Sequence, residues 1–169
     1  MKFKLIFLAL LFSMCSNVTQ ESSKEIRVVS LSTTHTEIIQ SLEAEETLIA
    51  VDSFSEVDFP VEVIDAYTVT AEELVPLNPD VVILAFDFNG IVEGLENQEI
   101  NYVLLPPAKN FEDVYSQIET IGSLVNKESE AFSTTRDMKV EINRILDNAN
   151  YGNTSCLLYT SDAADDRMR

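Results

Sequence analysis

From residue 26 onward, short apolar runs alternate with amphipathic ones. "IRVVSL" (26–31) is short and rich in β-branched residues, which predicts a buried strand. "THTEIIQSLEA" (34–44) predicts a helix. Within it Thr34 and Glu37 have the S/T-x-x-E spacing of a capping box, in which the hydroxyl takes an early backbone N–H and the carboxylate reaches back. "TLIAVDS" (47–53) predicts a second strand. "TAEELVPLNPD" (70–80) predicts a short helix that starts at Thr70 and halts near Asn78–Pro79, because the residue before a proline disfavours helical backbone. "VVILAF" (81–86) is apolar at every position, the pattern of a central parallel strand. "GIVEGLENQE" (90–99) predicts a helix, and "NYVLLP" (101–106) a fourth strand, ended by Pro106 and Pro107.

Two longer helices follow. In "NFEDVYSQIETIGSLV" (110–125), Phe111, Val114, Tyr115, Ile118, Ile121, Gly122 and Val125 recur along one face at the 3.6-residue period. In "ESEAFSTTRDMKVEINRILDNA" (128–149) the stripe runs through Ala131, Thr135, Met138, Ile142 and Ile145. Strands alternating with helices imply an α/β fold, a parallel sheet with helices on both faces. Ligands of such sheets bind beyond the carboxyl ends of the strands. That rule selects four loops: Ser32–His35, Asp52–Pro60, Phe86–Gly90 and Pro106–Asn110.

Composition narrows the function. Apolar residues make up 46% of the 169 and charged ones 24%, a globular balance, and the net charge is −18. Acidity of that size argues against nucleic acid, whose phosphates require Lys and Arg, and against direct binding to an anionic membrane surface. The start, "MKFKLIFLALLFSMC", carries Lys2 and Lys4 and then an apolar run from Leu5 to Met14. That run is too short for a membrane-spanning helix, which takes about 20 residues. It has the pattern of a signal peptide (1–15), with Cys15 placed for lipidation after cleavage. "SNVTQESSKE" (16–25) then reads as a polar tether. Cys15 and Cys156 both fall outside the predicted domain, so no disulfide is expected.

The loops carry a resemblance. "RVVSLSTTHTEIIQSLEAEETLIAVDSFSEVDFP", "AEELVPLNPDVVIL" and "NFEDVYSQIETIGSLVNKESEA" together resemble the class III periplasmic solute-binding proteins. These serve ABC importers of cobalamin, haem and ferric siderophores, and the cobalamin type is the most similar. The resemblance runs from about Ile26 to about Ala149. It implies a monomeric extracytoplasmic receptor, not an enzyme, with two α/β lobes joined by a rigid helix and a ligand held between them. Here it implies a first lobe over 26–126 and a spanning helix over 127–149. It also implies a membrane permease as partner, with a lipid anchor as the only link to the membrane, and no cofactor besides the transported macrocycle or chelate. Residues 150–169 do not continue into a second lobe. From Cys156 the stretch "CLLYTSDAADDRMR" resembles a translated sequencing adaptor, so it is set aside from the fold expectation.

The resemblance assigns Ser32, Thr33, Thr34 and His35 to the cleft, although Thr33 stands where the family usually has Pro. The backbone N–H groups at that helix start favour an acceptor or anion. Phe54 and Phe86 match cleft aromatics, which offer a flat macrocycle large area at low entropy cost. Phe59 aligns less securely. Asp52, Ser53 and Asp87 are placed to hydrogen-bond carboxamide groups, and uncompensated carboxylates suit an anionic siderophore poorly. Glu72 aligns with the permease-docking carboxylate, with Glu73 as its neighbour. His35, the single histidine, is expected to be solvent-exposed at the helix start, and one histidine does not make a metal site. Two further readings share the βα pattern. A flavodoxin-like cofactor carrier would need a phosphate-cradling loop after the first strand, and "SLSTTHTE" has the hydroxyls but no Gly. A structural lipoprotein would keep the fold without a ligand.

Overall fold

The computed structural model describes residues 26–148; the signal, tether and tail read from the sequence, with Cys15 and Cys156, lie outside them. The centre of the fold is strand β1 (Val28–Leu31), buried at every position. Strand β2 (Leu48–Asp52) pairs with it on one side and β4 (Val81–Leu84) on the other. Two three-residue strands, β3 (Glu62–Ile64) and β5 (Tyr102–Leu104), complete an all-parallel sheet of order β3-β2-β1-β4-β5. At the outset Arg27 spans the β1–β4 seam: its backbone N–H donates to the Asp80 carboxylate, and its guanidinium to the carbonyls of Leu77 and Asn78.

Side-chain alternation divides the core in two. Val28, Val81 and Ile83 face α1 (Thr33–Ser41) and α4 (Phe111–Leu124), packing with Ile38, Ile39, Leu42, Ile118 and Ile121. Val29, Leu31, Val82 and Leu84 face α2 (Ala71–Leu74) and α3 (Ile91–Asn97), packing with Leu74 and Leu95. Burial on both faces is why β1 and β4 read as continuous apolar runs. Each fully buried Leu or Ile contributes roughly 1.5–3 kcal/mol. Helix α5 (Glu128–Asn148) lies against α4 through Ala131 and Thr135, and its predicted stripe fades outward: Met138 and Ile142 are half-buried and Ile145 is exposed.

Two local expectations need correction. The α1 capping box does not form. Ser32 is the N-cap and the helix starts at Thr33, so Thr34 and Glu37 lie inside it and make no cap. The box forms instead at α2, where the Glu73 carboxylate accepts the Thr70 backbone N–H at 2.8 Å. Strand β3 was absent from the sequence pattern, because a three-residue edge strand with Glu62 and Val63 exposed shows neither alternation nor a continuous apolar run.

Candidate functional site

Sequence order runs β1 to β2 to β3 in one direction and β4 to β5 in the other, so the topology switches between β1 and β4. There Leu31 is in register with Leu84. The chains leave the sheet side by side as Ser32 and Ala85, and the diverging loops open a crevice above them. Ser32 is extended (φ −159°, ψ 126°) and its side chain makes no capping bond. The first turn of α1 carries no acidic residue, so the positive end of its dipole is uncompensated where it meets the crevice.

Buried hydroxyls hold this loop from below. The Ser55 hydroxyl donates to Thr36 Oγ1 at 3.1 Å. Thr36 Oγ1 in turn lies 2.9 Å from Ser30 Oγ and 3.2 Å from the Ser32 carbonyl oxygen. Asp52, at the end of β2, is also buried. Its carboxylate accepts the Thr33 hydroxyl at 3.3 Å and the Ala66 backbone N–H at 3.4 Å. Asp52 thus joins three segments of the rim: the start of α1, the end of β2 and the loop after β3.

Around this floor stand four aromatic rings in a string. Phe54 meets Tyr67 edge-on at 6.2 Å between centroids. Tyr67 lies 4.7 Å from Phe88, and Phe88 lies 5.3 Å from Phe86. Phe54 is 66% exposed, Tyr67 54% and Phe86 49%. The rings, with Ser32, Thr33, Thr34 and Asp52, line a cavity of about 230 Å³. So much exposed aromatic surface is costly in water unless something covers it. Tyr67 and Phe88 were missed in the sequence. Tyr67 sits in the loop after β3, a strand that the sequence pattern does not show, and Phe88 shares "FDF" with Phe86.

Ser53 and Asp87 do not join this cavity. The Ser53 backbone N–H donates to the Ile64 carbonyl at 2.7 Å and continues the β2–β3 ladder, with its residue exposed outside the crevice. Asp87 turns back to accept the Val92 N–H at 3.0 Å, at the start of α3. His35 corrects another expectation: it is 2% exposed, not a surface residue. It is the third residue of α1, on the helix face turned to the core. It lines a second cavity of about 600 Å³, bounded by Leu105, Gln117 and Met138, on the α4 side of Ser32 and Phe86. Burial lowers its pKa to about 4; the Leu105 backbone partly opposes that shift, and Nδ1 meets no partner. The ring is therefore neutral near pH 7. Among the described residues, no group of three or more His, Cys, Asp or Glu is placed to hold a metal ion.

Residues 28–164 match the profile of the periplasmic binding protein family. The chain belongs to that family. Solved structures share the fold. A periplasmic haem-binding protein of Vibrio cholerae is 23% identical, with a TM-score of 0.68 over 77% of this chain and 52% of that one. A possible iron-binding solute-binding protein of Staphylococcus epidermidis is 21% identical, with a TM-score of 0.64 over 76% and 53%. A periplasmic vitamin B12-binding protein of Vibrio cholerae is 20% identical, with a TM-score of 0.60 over 70% and 49%. This periplasmic binding protein chain spans about half the length of each of these. No curated protein sequence matches it. The parallel α/β fold expected from the sequence is the fold of the class III members over that half.

Proposed function

We propose that this chain is the first lobe of an extracytoplasmic receptor of an ABC importer. Its cargo is cobalamin or a similar macrocycle or iron chelate, such as haem or a ferric siderophore, which it passes to the permease. The role is capture, not catalysis. The observation that carries the reading is the exposed string Phe54–Tyr67–Phe88–Phe86 at the carboxyl end of the sheet, beside the start of α1 at Ser32–Thr34. Flat polarisable ligands stack on such rings, and hydroxyls and backbone N–H groups fix their orientation. Glu72 is exposed and without the capping bond that engages Glu73, which suits it to meet a permease arginine. Cys15 would carry the lipid anchor that keeps the receptor at the membrane.

The test starts with the source DNA across the codon for Ser155. A frame that continues into another hundred-odd residues gives the complete receptor, which is then titrated with cobalamin and haem. Submicromolar binding of either supports the reading. Failure of the complete protein to bind any macrocycle overturns it in favour of a structural lipoprotein. The 169-residue chain alone should bind no tighter than micromolar, because such ligands are usually mostly buried.

A further inference from the structure

We infer that this lobe selects its cargo by charge: it accepts a neutral or cationic flat ligand and disfavours a polyanionic one. The inference rests on the receptor reading and narrows it. Neither cavity at the top of the sheet has a single Lys or Arg in its wall. The only histidine there is neutral near pH 7. The wall does hold carboxylates, Asp52 in the aromatic crevice and Glu37 in the larger cavity.

The cations of the described residues lie elsewhere. Arg27 is at the opposite end of β1, bonded to the carbonyls of Leu77 and Asn78. Lys127 is in the α4–α5 turn, and Arg136, Lys139 and Arg144 are on α5, where Lys139 sits over the Tyr115 ring. Lys109, between β5 and α4, is the one cation in the loops at this end, and it lines neither cavity.

A bound anion needs a charged or strongly donating partner once it leaves water. The start of α1 supplies uncompensated N–H groups for one acceptor atom, not for several separated charges. The aromatic faces are themselves electron-rich and attract cations, not anions. The overall charge of −18 adds long-range repulsion of the same sign.

The test uses the 169-residue chain, followed by amide NMR shifts of Ser32–Thr34 and Phe86–Phe88. The probes are cyanocobalamin, a neutral ferric trihydroxamate and a trianionic ferric tricatecholate. At low ionic strength the neutral probes should bind about tenfold tighter than the tricatecholate. Added salt should close that gap by screening repulsion. Thr34→Arg, at an exposed position shared by both cavities, should raise the affinity for the tricatecholate several-fold relative to that for the neutral probes. Equal or tighter binding of the tricatecholate by the unmodified chain, or its weakening by salt, overturns the charge inference and leaves the receptor reading standing. Absence of shifts with every probe, even at millimolar concentration, overturns this inference, whereas the receptor reading is decided by the titration of the complete protein.

Discussion

Gly122 of α4 and Ala131 of α5 meet with no space for another carbon: a Cβ on Gly122 would lie 2.4 Å from the Ala131 Cβ and 3.0 Å from the Lys127 carbonyl oxygen. The close approach seats α5 on the lobe. Gly122→Ala should therefore destabilise the chain by about 1–2 kcal/mol, since overpacking outweighs the roughly 1 kcal/mol gained in helix propensity. Ala131→Gly in the same chain should recover part of the loss. Urea denaturation of the single and double variants measures both.

His35 makes stability depend on acidity. Its folded pKa of about 4 lies below the ordinary 6.5 because burial disfavours the charged ring. The unfolded chain therefore binds more protons at this site as pH falls. The contribution is fully present above about pH 6.5 and is lost progressively towards pH 4, reaching roughly 3 kcal/mol. Between pH 6.5 and 5 few carboxylates titrate, so the slope there belongs to His35. Denaturation midpoints across that range should flatten in His35→Gln. An unchanged slope would place its origin elsewhere.

The adjacent glutamates of α2 should separate stability from transport. Thr70→Ala or Glu73→Ala removes half of the capping box and should cost about 0.5–2 kcal/mol in thermal or urea unfolding. Glu72→Ala should change stability by less than about 0.5 kcal/mol. In the complete receptor Glu72→Ala should leave cargo affinity intact and lower permease-dependent uptake at least several-fold. Reduced affinity in that variant would contradict a docking role.

The aromatic rim predicts a graded loss of binding. In the complete receptor, Tyr67→Ala should weaken cargo roughly tenfold, because it removes a stacking face and separates Phe54 from Phe88. Phe86→Ala should act similarly. Phe132→Ala, exposed on α5 away from both cavities, should have no effect on affinity in the same calorimetric titration.

Much of this architecture was legible because β1 and β4 are buried on both faces and α4 has a consistent apolar stripe. Position at strand ends then placed Ser32, Thr33, Thr34, Phe54 and Phe86 at one crevice together with Asp52. What stayed hidden depends on contacts distant in sequence. From the sequence His35 reads as a surface residue because it is polar and near a helix start. Its third-residue position turns it inward towards Leu105, into the cavity that Gln117 also lines, which no local pattern reveals. From the sequence Asp87 reads as a ligand contact because its carboxylate follows a strand. The short loop instead brings the Val92 N–H within its reach. Thr34–Glu37 and Thr70–Glu73 share one spacing, and only where the helix begins decides which pair closes.

The pairing of β1 with β4 has a consequence for how the chain acquires its structure. Arg27 and the Asp80 carboxylate that accepts its N–H are 53 residues apart. A polypeptide emerging from its amino end can form β1–β2 contacts early, but the other edge of its central strand stays open until β4 arrives. Closing so long a parallel connection is slow, and an open apolar edge in the interval invites pairing with other chains. Folding speed and resistance to aggregation should thus hinge on the β1–β4 seam, far from the crevice where cargo would sit.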